Sequence, residues 1–309
     1  MRYFLVRLVE VLPILLGVSI LIFLLTRLGP ADPARMILGI DAPDADLVRL
    51  RHSLGLDQSL VVQYLHWLGD TLHGNLGTSY KFGTPVTSEL AQRFPASLLL
   101  ALASVIVTLA VGVPLGLVSA VRRGQWIDYS ILVVSLAGVS APVFLLGFLL
   151  IFVFSYLVPL FPTAGAGSPL HLVLPALTLG LPTAAVIVRL TRASMLEVLN
   201  EDYVRTATSK GLRRSVVLIR HALRNALIPV ITITGLQFGF LLNGSVIVEQ
   251  VFAWPGIGSL MVNAAMTGDF PVLQGATLLF TLVFVVVNLV VDLACGWVDP
   301  RLRTQREHV

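Results

Sequence analysis

The stretch EDYVRTATSKGLRRSVVLIRHALRNALIPV, Glu201 to Val230, decides how this chain is to be read. It is polar and basic, it keeps a helical apolar rhythm, and one glycine, Gly211, breaks it near the middle. Long apolar segments flank it on both sides. A basic helical insert between greasy runs makes sense as a loop on the cytoplasmic side of a membrane bundle.

The composition agrees with that reading. Of 309 residues, 56% are hydrophobic and 12% are charged, and the mean hydropathy is +0.88. A soluble domain of ordinary composition carries about 25% charge. The net charge of +4 is modest, and the basic residues are split among short polar segments. No continuous basic face is left for a nucleic acid, so none is expected as a partner. The single cysteine, Cys295, sits in the last apolar run. It forms no disulfide within the chain and reads as a small packing residue.

Apolar segments near the spanning length occur at about 8–28, 98–121, 129–158, 171–190, 228–249 and 272–296. The expected fold is therefore all-α, with six transmembrane helices. The third segment is long enough to tilt, or to hold a break at Pro142. Pro114, Pro142, Pro175 and Pro182 lie within spans. Such residues need neighbouring helices to satisfy the freed backbone groups, which implies a packed bundle. The opening segment is too long for a signal-peptide core and lacks an A-x-A-like cleavage site; it is expected to stay as the first helix.

Lys and Arg orient the bundle. Arg2, Arg7, Arg122, Arg123, the cluster from Arg189 to Arg224, and Arg301, Arg303 and Arg306 fall on one side. The loops at 159–170 and 252–271 contain no Lys or Arg. Both termini are thus expected in the cytoplasm. The expected organisation is a first helix in 1–28, an extracytoplasmic subdomain of short helices in 29–97, a five-helix bundle in 98–296 with a hairpin at 191–227, and a cytoplasmic tail in 297–309.

Enzymatic chemistry finds no support. The chain has no G-x-x-x-x-G-K-[ST] phosphate loop, no H-E-x-x-H and no G-x-S-x-G. His66 and His73 are two turns apart, and the pair reads as surface or packing residues rather than metal ligands. A chain with no catalytic groups and a built-in cytoplasmic hairpin reads as one part of a larger machine.

In that hairpin, Met195, Leu196, Leu199, Tyr203 and Ala207 recur in steps of three and four and mark one helical face. Gly211 supplies a left-handed stop. LRRSVVLIRHALRNALIPV then restarts a helix, with Pro229 at the entry to the fifth span. Two readings are open. The hairpin lies on the anionic inner leaflet, or it is a knob that fits a groove on a soluble partner. The centre, DYVRTATSKG, is small and mixed polar, a poor anchor and a fair docking surface, so docking is favoured.

Those residues also carry a resemblance. D-Y-V-R-T-A (Asp202–Ala207), the glycine turn, and R-H-A-L-R-N-A-L-I-P-V (Arg220–Val230) resemble the cytoplasmic signature of bacterial ABC-importer permeases. In chain order, G-P-A-D-P-A, L-G-L-D-Q-S-L-V-V-Q-Y, G-L-Q-F-G-F-L-L-N-G-S-V-I-V-E, F-A-W-P-G-I-G, D-F-P-V, N-L-V-V-D and D-P-R-L-R extend the likeness over essentially the whole chain. Together they resemble the dipeptide, oligopeptide, glutathione and nickel permease family, with the peptide and glutathione members nearest. The general coupling motif of these permeases has E-A-A, three residues, then Gly. Here Arg205-Thr206-Ala207 precedes Gly211 by three residues, so Arg205 stands at the position of the Glu, and Asp202 or Glu201 is left to supply an acid.

The resemblance implies a mechanism. Two related but different permeases pair, each presents its hairpin to an ATPase subunit, and ATP with magnesium is bound there and not in this chain. A substrate-binding protein delivers cargo at the outer mouth. By this resemblance Asp202, Tyr203, Arg205, Thr206, Ala207, Lys210 and Gly211 are the expected ATPase contacts. Phe252, Trp254, Pro255 and Gly256 are the expected outer gate or binding-protein contact, where the two aromatics also suit an interfacial position. Polar groups inside spans are costly and usually face a cavity or a partner. Gln237, Asn243, Glu249, Asn288 and Asp292 are accordingly candidates for the translocation path, with packing roles left open. Peptide import is the leading expectation. A nickel or metal-chelate permease is the alternative, disfavoured by the few His, Cys or Met ligands along the spans, and a passive membrane scaffold is the reading from another class.

Overall fold

The computed structural model describes the backbone of residues 2–28, 33–39 and 41–298, and within these the side chains between 11 and 291. Residues 299–309 of the expected tail lie outside the described residues. Among the described residues the protein is helical, with one isolated antiparallel bridge between Thr78 and Pro85.

The chain divides into two compact units, Met1–Ser97 with Pro255–Val285, and Leu98–Trp254 with Val286–Val309. In the first unit, α1 (Arg2–Leu28) is the first apolar span. It is followed by α2 (Pro33–Leu38), α3 (Asp44–Ser53) and α4 (Leu60–Leu72). These are the short helices expected in the loop after the first span.

Helix α5 (Val86–Val121) is 36 residues long and passes from the first unit into the second. At about 1.5 Å per residue it is far longer than a hydrocarbon core of about 30 Å. The span expected from about 98 is thus the later part of a longer helix, which begins at Val86. Its first turns are polar, which hides them from a hydropathy reading. Thr84 donates to Glu89 at 2.9 Å, Arg93 lies 3.7 Å from Glu89, and Val86 and Leu90 are buried beneath them.

In the second unit the third span is broken. Helices α6 (Trp126–Ser140) and α7 (Val143–Ile151) meet at Pro142 with a bend of 107°, and α7 continues as a π-helical turn, Phe152–Leu157. Proline disfavours helix in the residue before it, here Ala141, which is extended (ψ 133°). A 3₁₀ turn (Pro169–Leu172) leads into α8 (Val173–Val198). Among the described residues, five helices are long and apolar enough to cross a membrane, or six with the bent pair counted as one span.

Helix α8 organises this unit, packing against α6, α7 and the fifth span, Arg224–Val251. Its approach to α5 is set by glycine. A Cβ on Gly112 would stand 2.8 Å from Ile187, one on Gly116 would stand 2.6 Å from Thr191, and one on Gly180 would stand 2.7 Å from the Ser104 carbonyl. Small residues let two membrane helices touch along their backbones, and here Thr108 adds a hydrogen bond to the Gly180 carbonyl at 3.1 Å.

The loop between the fourth and fifth spans holds α9 (Asp202–Ser209) and α10 (Arg214–Val216). A π-helical turn, Val217–Leu223, then runs straight into α11 (Arg224–Val251). The chain closes with α12 (Ile257–Thr267) and α13 (Phe270–Val298). One expectation is corrected here. The first hairpin helix does not run through from 191, because α8 ends before Asn200. There the Asn200 amide donates to the Leu196 carbonyl at 2.9 Å, and Glu201 turns extended. Pro229, expected at the entry to the fifth span, lies inside α11.

Candidate coupling site

The insert between the fourth and fifth spans folds as a short helix held on one side by its own chain. Val204 and Ala207 are buried on Val217, with Val198 and Leu199 packed around them. Helical spacing puts Val204 and Ala207 on one face. The other face of α9 is exposed and carries Asp202, Tyr203, Arg205 and Thr206.

Gly211 has φ +75°, a left-handed conformation, and nothing lies within 4 Å of where its Cβ would be. Glycine is needed for the backbone angle and not for space. The turn lets the chain reverse with Lys210 and Leu212 exposed. The Tyr203 hydroxyl accepts from the Asn225 amide at 2.7 Å, tying α9 to the base of α11.

The structure sorts the expected ATPase contacts. Asp202, Tyr203, Arg205, Thr206, Lys210 and Gly211 are exposed, and Ala207 is turned inward. Ala207 therefore supports the site from below, because a small residue lets α9 lie close to Val217. Arg205 lies 3.8 Å from Asp202, so the cation at the usual acidic position has an acid of its own helix beside it. Both side chains are well exposed, and such a pair contributes little to stability.

Sequence reasoning missed an ion pair elsewhere in the second unit. Asp128, in the first turn of α6, is 1% exposed. Arg192, in the last turns of α8, donates to both of its oxygens at 2.8 Å. The Ser119 hydroxyl and the Gly124 N–H donate to the same carboxylate. One carboxylate thereby joins the end of α5, the loop after it, the start of α6 and the end of α8. An acid at the head of an apolar span was a visible signal. Its partner, 64 positions away, was not.

The candidates for the path are dispersed. On α11, Gln237 is half-buried, Asn243 is exposed and Glu249 is fully buried. The Ser245 hydroxyl donates to Glu249 at 3.1 Å. Asn288 is half-buried on α13. Asp292 lies one turn further along, and its side chain is outside the described residues.

Phe252 and Trp254, expected at an interfacial position, are buried within the chain, at 1% and 4% exposed. The Phe252 carbonyl accepts from Gly165 N–H at 2.8 Å, and Trp254 N–H donates to the Glu249 carbonyl at 2.8 Å. Between them Ala253 takes φ +46°. This tight turn at the end of α11 draws both rings inward, where hydropathy alone would place them at a surface. Pro255 is exposed, and Gly256 is the extended residue that starts α12.

A second buried carboxylate was also missed. Asp269, 2% exposed, accepts from the Ser79 hydroxyl, from Tyr80 N–H at 3.1 Å and from Lys81 N–H at 3.3 Å. It joins the 79–81 turn to the start of α13 within the first unit.

Residues 112–304 match the model of the binding-protein-dependent transport system inner membrane component, and residues 1–101 match that of the N-terminal region of such membrane components. The chain belongs to this family of ABC-importer permeases. It is 46% identical over 303 residues to the glutathione transport system permease protein GsiC of Pectobacterium atrosepticum, covering 98% of this chain and 99% of that protein. It is 45% identical over 304 residues to GsiC of Escherichia coli, with the same coverage. Among solved structures, the MetNI methionine ABC transporter in inward-facing conformations is 18% identical, with a TM-score of 0.58 over 69% of this chain and 97% of that one. At that identity the likeness concerns the fold alone. As an ABC-importer permease, the chain is a transporter subunit and not itself an enzyme.

Proposed function

We propose that this permease forms half of the translocation path for small peptides of the dipeptide, oligopeptide or glutathione class. The observation that carries the substrate class is the end-to-end identity of 45–46% with permeases named for glutathione transport. In this reading a related second permease completes the path. Two ATPase subunits hold ATP and magnesium on the cytoplasmic side, and an outer substrate-binding protein delivers the peptide. The chain lies in the bacterial inner membrane with both termini in the cytoplasm, as its Lys and Arg bias supports.

The proposed docking surface for the ATPase is the exposed side of α9 with the Gly211 turn. Val204 and Ala207 root α9 on Val217. A push on it therefore reaches the base of α11 through Asn225 and Tyr203. Mechanical coupling of this kind needs a rigid element with two arrangements.

The test is reconstitution of the full transporter in proteoliposomes, with ATPase activity and uptake measured together. Glutathione or a dipeptide, added with the binding protein, should raise ATP hydrolysis and accumulate in the vesicles. Stimulation by nickel or a nickel chelate and not by peptides would overturn the substrate class. Binding of the ATPase with no cargo-dependent stimulation would make the chain a scaffold.

A further inference from the structure

Helix α4 carries three distinct edges. Tyr64 and Trp67 face the first span: the Tyr64 hydroxyl is 2.8 Å from the Ser19 hydroxyl, and the Phe23 ring lies 5.4 Å from Tyr64 and 5.7 Å from Trp67. A second edge is apolar and uncovered, with Val61, Leu65 and Leu72 exposed to 68%, 58% and 78%. They follow one another at helical spacing, four and seven residues apart. Gln63, His66 and Asp70 occupy the opposite edge. At about 3.6 residues per turn the apolar and polar edges are roughly half a turn apart, with the contact to α1 between them.

The depth of α4 follows from what it touches. Ser19 and Phe23 lie inside the apolar window Val11–Leu28, nine and five residues before its end. With a rise of about 1.5 Å per residue, they stand about 13 and 7 Å within the span. A helix seated on these residues cannot stand wholly in the water beyond the membrane. At the same level α1 exposes Leu21 and Leu25, 59% and 62%, which as part of a spanning helix face lipid.

We infer that α4 is an interfacial helix. Its Val61–Leu65–Leu72 edge is immersed in the acyl-chain boundary of the leaflet at the Leu28 end of α1, and its His66–Asp70 edge is turned to water. The inference rests on the membrane placement of this permease; the leaflet is the outer one in the orientation proposed above. The helix contains no Lys or Arg, so the surface it fits is the hydrocarbon boundary and not an anionic headgroup layer.

The test uses the assembled transporter in lipid nanodiscs, carrying Cys295→Ser to remove the single native cysteine. An environment-sensitive fluorophore is attached through Leu65→Cys, His66→Cys or, as a lipid reference, Leu21→Cys. Nitroxide-bearing phosphatidylcholine should quench the labels at positions 65 and 21 at least about two-fold more than the label at 66, and aqueous iodide should reverse that order. Iodide reaching 65 and 66 alike would put α4 in water and overturn the inference. A label at 65 shielded from both quenchers would also overturn it, because a protein would then cover the edge. Failure at 21 as well as 65 would instead overturn the membrane placement of α1.

Discussion

Asp128, buried, and Arg192, part-buried, form a two-armed ion pair, both contacts at 2.8 Å, between the first turn of α6 and the last turns of α8. Bidentate geometry and two further donors repay the desolvation of the charges. Removing Arg192 leaves the buried Asp128 uncompensated, and removing Asp128 leaves the part-buried Arg192 without its acceptor. Asp128→Ala and Arg192→Ala should each destabilise the purified transporter by about 3 kcal/mol. The double variant should cost clearly less than the sum, since the pair acts as a unit. Melting midpoints of the four proteins check this, and additive losses would mean that the two side chains are not coupled.

The Gly211 turn should respond to backbone conformation and not to bulk. Gly211→Ala places a Cβ in a left-handed conformation at a cost of about 1 kcal/mol. Asn tolerates that conformation far better. ATPase copurification should fall with Ala and largely recover with Asn. Equal loss with both would show that close approach of the partner controls this position.

The two faces of α9 should separate stability from docking. Arg205→Ala removes an exposed pair and should change stability by no more than about 0.5 kcal/mol. It should still weaken ATPase copurification and uptake. Ala207→Trp should instead damage the fold of the insert by about 1–3 kcal/mol, because it overfills the contact with Val217. A loss of uptake in Ala207→Trp at unchanged stability would move Ala207 to the docking face.

Asp269 should hold the 79–81 turn shut. Asp269→Ala leaves a buried hydroxyl and two N–H groups without their acceptor, at about 1–3 kcal/mol for each group left dry. Trypsin should then cut after Lys81 faster than in the parent permease. Unchanged cleavage would show that the turn does not depend on the carboxylate.

The α5–α8 seam should reject side chains. Gly116→Leu would force atoms into the space held by Thr191 and the Val188 carbonyl, which already lie 2.6 and 2.7 Å from a Cβ position. Overpacking of this kind costs about 1–3 kcal/mol or more. A fall in the melting midpoint and in the yield of assembled permease is expected, with Gly17→Ala, where nothing lies within 4 Å of the added Cβ, as the neutral control.

Hydropathy and charge bias made the spans, the break at Pro142 and the glycine turn at 211 legible, because each depends on local composition or on one residue's backbone preference. Polar helical turns were not legible in this way. The first turns of α5 read as loop because Glu89, Arg93 and Gln92 lower the hydropathy, although they are well suited to a helix. Phe252 and Trp254 were placed at an interface because aromatic type was known and direction was not.

What the sequence determined alone is the class of machine: a multi-pass helical permease with a basic, glycine-broken insert and no catalytic groups. Only the tertiary structure decided which side chains act together. Asp128 and Arg192, Asp269 and the 79–81 turn, and Val204, Ala207 and Val217 meet through contacts made after the chain has folded back on itself. The physical reason is range. Periodicity reports one face of one helix, whereas burial and charge pairing depend on the helix that packs against it.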